Sequence, residues 1–271
     1  IAAHGELAEL REEACDPLLL FADRVLHVLS PVGAARCRIW TNLDAWPLVV
    51  QMILTPVPQE KLPDVIDAFR IAQAGHALAA PALARIAATM ALLGAGSDLP
   101  VHRHRARNLA RAFGIPLIDA APSDGFSWDG HAIACQSEAS VLIHEVAHWL
   151  LAPPERRRLV DFGLGAGPET GRRADADRAR AVDAATEQEE ESLASLLGIL
   201  WEAELGQPAI LAFLEQNWLE GHGRSGTVRH FQRHLELLAG RGLIDGAARP
   251  LAPSTLAGHA GRFPERGSVA C

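Results

Sequence analysis

Residues 144–149 read His144-Glu145-Val146-Ala147-His148-Trp149, and the chain on either side serves to hold, complete and cover that stretch. On a helix, side chains four residues apart project from one face. The two imidazoles can therefore converge on one divalent cation without strain in the backbone, with Glu145 beside them. The neighbours suit a helix: residues 138–140 can start it, Val141, Leu142, Ile143, Val146, Ala147, Leu150 and Leu151 make it apolar almost all round, and Pro153 and Pro154 stop it. Twelve histidines leave room for a chance pairing. A helix buried on every side, however, rarely carries His, Glu and His without chemistry to perform.

A centre built on the two-histidine, one-carboxylate plan needs a third ligand. The acidic run Glu187-Gln188-Glu189-Glu190-Glu191 opens a second helix that continues through Leu193, Leu196, Leu197, Leu200 and Trp201 to Gly206, its negative start matching the helix dipole. Glu191 is the expected ligand, because Ala194, Ser195 and Gly198 share its face and let this helix come close to the first. Glu190, above Leu193 and Leu197, is the alternative, and the remaining glutamates read as a solvated cap. Asp161, closer in sequence to the HExxH helix, is the competing carboxylate.

The 271 residues, 49% of them apolar, suffice for a packed core. A net charge of −8 argues against a phosphate-binding surface, so nucleic acid is not an expected partner, even though Lys61 is the single lysine among 25 basic residues. Cys15, Cys37, Cys135 and Cys271 are widely spaced and read as free thiols of a reducing compartment. With Glu6, Glu9, Glu12 and Glu13 where an export signal would be basic, a cytoplasmic location is expected. The long apolar run 76–93 contains Pro81 and Arg85 and is mostly alanine, which predicts a buried helical hairpin and no membrane span.

Periodicity predicts helices over 5–29, broken at Asp16-Pro17, and over 64–79, 81–93, 103–113, 208–219 and 226–239; residues 38–55 suit strand or helix equally. Two strands, 115–118 and 131–135, bracket a Pro122-Ser123-Asp124-Gly125 turn. Residues 163–185 lack apolar periodicity and read as a long mobile loop, and the chain beyond 246 as an extended tail. The loop at Gly94, Gly96, Ser97 and Pro100 divides a helical N-terminal region, 1–100, suited to substrate recognition, from an HExxH metal-dependent catalytic domain, 101–271. The predicted class is mainly α with a small β-sheet (α+β), built on a zincin-like HExxH helix. His102 and His104, flanked by arginines, read as solvated surface; His230 and His234, one turn apart without a glutamate between, read as surface or substrate-facing and not as a second metal site.

Spacing alone favours a zinc metallopeptidase of the gluzincin type, in which Glu145 is the general base and His144, His148 and Glu191 hold Zn(2+). A longer pattern points elsewhere. Ile143-His-Glu-Val-Ala-His-Trp149, Arg156-Arg-Arg-Leu-Val-Asp-Phe-Gly163, Leu219-Glu-Gly221 and Phe231-Gln-Arg233, in that order, resemble the bacterial elongation factor P hydroxylase family over about residues 112–240. The resemblance implies Fe(2+) in place of zinc, dioxygen as co-substrate and hydroxylation of an unactivated carbon. His144 and His148 carry over directly; the glutamate of the following helix carries over as Glu191 if the helix is aligned without a gap back from Gly206, and as Glu190 with one residue of slippage. Members of that family are compact and lack a counterpart of residues 1–110. This chain also lacks the aromatic residues found there after Gly163 and contains no tyrosine. The expectation is therefore the same chemistry on a different amino-acid, peptide or protein side chain. Arg229 and Arg233, or Arg172, are the candidates to clamp a carboxylate of the substrate or of 2-oxoglutarate, the alternative for each being solvation at the surface.

Overall fold

The helix demanded by the HExxH stretch is α4 (Ala139–Leu151). It starts where Glu138, in extended backbone, offers its carbonyl to the Leu142 N–H at 3.1 Å. It ends at Ala152, whose N–H reaches the His148 carbonyl at 2.8 Å before Pro153 forbids another turn. Arg157 Nε then caps the Ala152 carbonyl at 2.9 Å. The computed structural model describes residues 57–95, 99–167, 170–252 and 254–255. The helices expected over 5–29, the 38–55 segment and most of the expected C-terminal tail lie outside the described residues.

Alongside α4 runs α6 (Ala184–Glu204), started by Asp183, whose side chain accepts the Thr186 N–H at 2.8 Å. The two helices meet where Gly198 faces His144: a Cβ built on Gly198 would lie 3.6 Å from the His144 Cα, so the backbones are nearly in contact. Leu142, Ile143 and Val146 of α4 and Leu193, Leu196, Leu197 and Leu200 of α6 are fully buried between and around them. Each contributes about 1.5–3 kcal/mol by leaving water.

The α4–α6 pair is covered on the α4 side by α3 (Pro100–Ala112), and on the α6 side by α2 (Ala79–Ala88), α7 (Ala209–Glu215) and α8 (Ser225–Gly240). α1 (Leu62–Gln73) packs on α2 and α8. Phe69 of α1, Phe213 of α7 and Phe231 of α8 meet with ring centroids 5.6–6.4 Å apart. The apolar residues of 62–86, which fall in the expected N-terminal region, thus join the same core as those of α4 and α6. Among the described residues no helix is long and apolar enough to cross a membrane, and the 76–93 run forms α2 followed by a 3-10 stretch, Thr89–Ala95.

A mainly helical chain with a small sheet is what the structure contains: eight α-helices and one two-stranded sheet among the described residues. The sheet is parallel, Leu117 opposite Ile133 and Ile118 opposite Ala134, joining β1 (Leu117–Ile118) to β2 (Ile133–Ala134). The chain leaves β1, turns through Pro122–Asp124 and doubles back at Asp129-Gly130, so that Trp128 bridges Ile133 from the antiparallel side. Two expectations are corrected. Residues 163–185 are not a featureless loop: they contain α5 (Arg173–Arg178) and are stapled by Ala181 N–H to Gly163 O at 2.7 Å and Gly171 N–H to Gly125 O at 2.9 Å. His102 is buried against the core at 5% exposure, while His104, bonded to Asn108, is at the surface.

Candidate metal centre

α4 and α6 bring three ligand atoms to one point. The Nε2 atoms of His144 and His148 are 2.9 Å apart, and Glu191 Oε2 lies 3.4 Å from each. Among the described residues this is the one group of three or more His, Cys, Asp or Glu that could hold a metal ion. The rings meet edge to face at 4.5 Å, as two imidazoles do when their lone pairs share a target. The donor set of two neutral nitrogens and one carboxylate suits a divalent transition metal, and facing Nε2 atoms at this distance call for a cation or proton between them.

Electrostatics favour a cation there. Burial disfavours a charge on His148, but Glu191, with Glu145 and Glu190, outweighs it and raises the imidazole pKa to about 9. His144 is pushed the other way, by burial and by repulsion from His148. Burial also opposes the charge of Glu191, yet the two imidazoles hold its carboxyl well below the usual range. The centre thus carries a carboxylate ionised at all ordinary pH, next to an imidazole that gains a proton whenever no other cation is present.

Glu190, the alternative ligand, occupies the other side of His148. Its Oε1 is 4.0 Å from His148 Nδ1, and its Oε2 is bonded to Arg156. Glu187 and Glu189 pair with Arg180 and with Arg233 and Arg241. The acidic run is therefore ion-paired and partly buried where a solvated cap was expected.

Asp161 is not one of the three clustered residues. Its Oδ2 accepts the Thr170 hydroxyl at 2.6 Å and its Oδ1 the Trp128 N–H at 3.4 Å. Burial raises its pKa, and those two hydrogen bonds partly offset the rise. Asp161, Phe162 and Gly163 all have left-handed backbone, with φ of 42°, 54° and 69°. For the two non-glycine residues this costs on the order of 1–3 kcal/mol each. The turn presses the Phe162 ring onto His148, centroids 5.6 Å apart, with Trp128 stacked behind it at 5.2 Å.

Sequence reasoning gave no role to Arg156, Phe162, Trp128 or Thr170. The one available signal was the Arg-Arg-x-Leu-Val-Asp-Phe-Gly string, which hydropathy does not register. Of the arginines expected at the substrate, Arg233 bonds Glu189 at 2.7 Å, Arg172 pairs with Asp175 and lies over the Phe126 ring, and Arg229 borders a surface groove with Ile71, His222 and Val228. His234 is fully buried, and His230 packs between it and Trp218 at 4.1 and 5.1 Å.

Two histidines of an HExxH helix and a glutamate of the helix beside it define a helical protein with a candidate His-His-Glu metal centre. Over residues 129–193, which contain all three, the chain matches the family model described as elongation factor P hydroxylase, which supports a hydroxylase-like function at the level of that family. The match takes in the Arg156–Gly163 string but neither Leu219–Gly221 nor Phe231–Arg233. No curated protein and no solved structure matches the chain.

Proposed function

We propose that the protein is an iron(II)-dependent oxygenase that hydroxylates an unactivated carbon of an amino-acid, peptide or protein side chain. The observation that carries this reading is the convergence of His144, His148 and Glu191 inside the segment that matches a hydroxylase family. The family's description names a protein substrate, and the coarse expectation of an amino-acid-derived substrate follows it. The metal, when bound, supplies dioxygen activation. The chain's own residues do the rest. His144 and His148 offer Nε2 and Glu191 offers Oε2; Phe162 and Trp128 close one flank of His148 against water; Glu145, buried beside His148, adds negative charge that offsets the cation's. The N-terminal region, 1–100, is assigned to substrate recognition together with Arg229 and Arg233, and these two or Arg172 are the candidates for a 2-oxoglutarate carboxylate.

Protein purified without oxygen is expected to hold one iron(II), lost in His144→Ala, His148→Ala and Glu191→Ala. Incubation with amino acids, peptides and elongation factor P under isotopically labelled dioxygen, with a reductant or 2-oxoglutarate, is expected to yield a product carrying one labelled oxygen atom. Glu145→Gln separates this from zinc peptidase chemistry. The substitution should leave iron and a measurable part of the oxygen-dependent product, whereas a peptidase would keep its zinc and lose nearly all turnover. Stoichiometric zinc together with peptide-bond cleavage in the absence of oxygen would overturn the oxygenase reading.

A further inference from the structure

Two buried polar atoms beside the centre face one another with no hydrogen bond of their own: Nδ1 of His148 and Oε1 of Glu190, 4.0 Å apart. Buried polar groups are seldom left so, and these two are complementary, a ring N–H against a carboxylate oxygen. The second oxygen of Glu190 is taken by Arg156 Nη2, and Arg156 Nη1 donates to the Phe162 carbonyl at 3.2 Å. One guanidinium therefore fixes both the carboxylate that faces His148 Nδ1 and the residue whose ring lies on the same imidazole. The consecutive glutamates divide the work by their angle on α6, Glu191 reaching the Nε2 side and Glu190 the Nδ1 side.

We infer that Glu190 and Arg156 form a positioning pair for His148, holding Nδ1–H toward the Glu190 carboxylate so that Nε2 is kept as a ligand atom facing His144 and Glu191. A carboxylate on the far nitrogen of a metal-binding histidine fixes the ring and strengthens the ligand. Arg156 has a second effect. It gives Glu190 a counter-ion of its own, so part of that carboxylate's charge is offset while it orients the imidazole. A buried ion pair of this kind is strongly destabilised by removing one member, which makes shape-preserving substitutions the informative ones.

The inference rests on the metal-centre reading, and zinc(II), a redox-inert probe, tests the two separately. Affinity is measured by competition with a chromophoric chelator, and the His148 ring N–H is followed by proton NMR of the zinc-loaded protein. Glu190→Gln offers a single acceptor oxygen, which Arg156 claims, so the amide NH2 would oppose the His148 N–H. Zinc affinity is expected to fall about 10–100-fold with one zinc per chain retained, and the ring N–H signal to lose its downfield, exchange-protected position. Glu190→Gln combined with Arg156→Met frees that oxygen for His148 and should recover part of both, which a merely structural ion pair would not do. Glu190→Gln with wild-type affinity and an unchanged ring N–H overturns this inference alone. Glu190→Gln that loses stoichiometric zinc, as Glu191→Gln should, makes Glu190 a ligand and also overturns it. Failure of the wild-type protein to bind zinc overturns the centre itself and this inference with it.

Discussion

Besides Glu145, three carboxylates stand close to His148, and their hydrogen bonds separate their roles. Glu191 meets both Nε2 atoms, Glu190 is held by Arg156 on the Nδ1 side, and Asp161 spends its oxygens on Thr170 and Trp128. Asp161 is therefore expected to hold a turn and not a metal. Asn keeps an acceptor for the Trp128 N–H and tolerates left-handed backbone, so Asp161→Asn should retain full metal content with a small loss of stability. Asp161→Ala loses both hydrogen bonds and puts a Cβ without a polar partner at φ 42°, at a cost of about 1–3 kcal/mol. Thermal unfolding and elemental analysis on the same samples check both. Metal loss in Asp161→Asn at an unchanged melting temperature would return Asp161 to the list of ligands.

At the scale of elements the centre depends on how closely α6 lies against α4, and a small residue at position 198 permits that approach. An added Cβ would find only ordinary contacts, at 3.6 Å from the His144 Cα and 3.9 Å from Ile143 Cγ2. Gly198→Ala should thus be neutral or stabilising by up to about 1 kcal/mol from helix propensity. Gly198→Leu has nowhere to place its branch. It should destabilise by about 1–3 kcal/mol and weaken metal binding, because it pushes Glu191 away from the imidazoles. Melting curves and chelator competition on the two variants would show the contrast; equal metal affinity in both would mean that the spacing does not govern the site. This small-residue face, Ala194, Ser195 and Gly198, was legible in the sequence because helical spacing fixes which side chains share a face with Glu191. Both helix limits of α4 were legible for a similar reason, from an apolar run stopped by proline. The Arg156–Glu190 pair and the Phe162 stack were not, since neither spacing nor hydropathy encodes a left-handed turn that folds back onto a distant helix. The staples of residues 163–185 were hidden too, because backbone N–H and C=O groups are the same in every sequence. The arginines flanking His102 suggest surface, whereas its place on α3, one turn before the buried Ala106 and two before Leu109 and Ala110, puts it on the buried face.

The molecule as a whole carries ionisable groups in its core away from the metal centre, and they set its pH range. His230 is held down to about 3 by burial, His234 and Arg233, so between its ordinary 6.5 and about 3 the unfolded chain binds a proton that the folded chain does not, and stability is lost as pH falls through that window. Glu202, near the end of α6, works in the opposite direction. Burial first, and the Glu215 carboxylate second, raise its pKa from 4.5 to about 8. From about pH 4.5 upward the unfolded chain releases this proton while the folded chain keeps it, so the folded state binds more protons and stability declines until about pH 8, beyond which the loss is constant. Glu202→Gln removes the titrating group while preserving its shape. It should melt at nearly the wild-type temperature near pH 4.5 and progressively above it toward pH 8, by several degrees for a gain on the order of a few kcal/mol. Metal content should not change, because Glu202 lies three turns along α6 from Glu191. Melting temperatures of both proteins at intervals from pH 4.5 to 9 decide the matter: two parallel curves would mean that Glu202 ionises as freely in the folded chain as in the unfolded one.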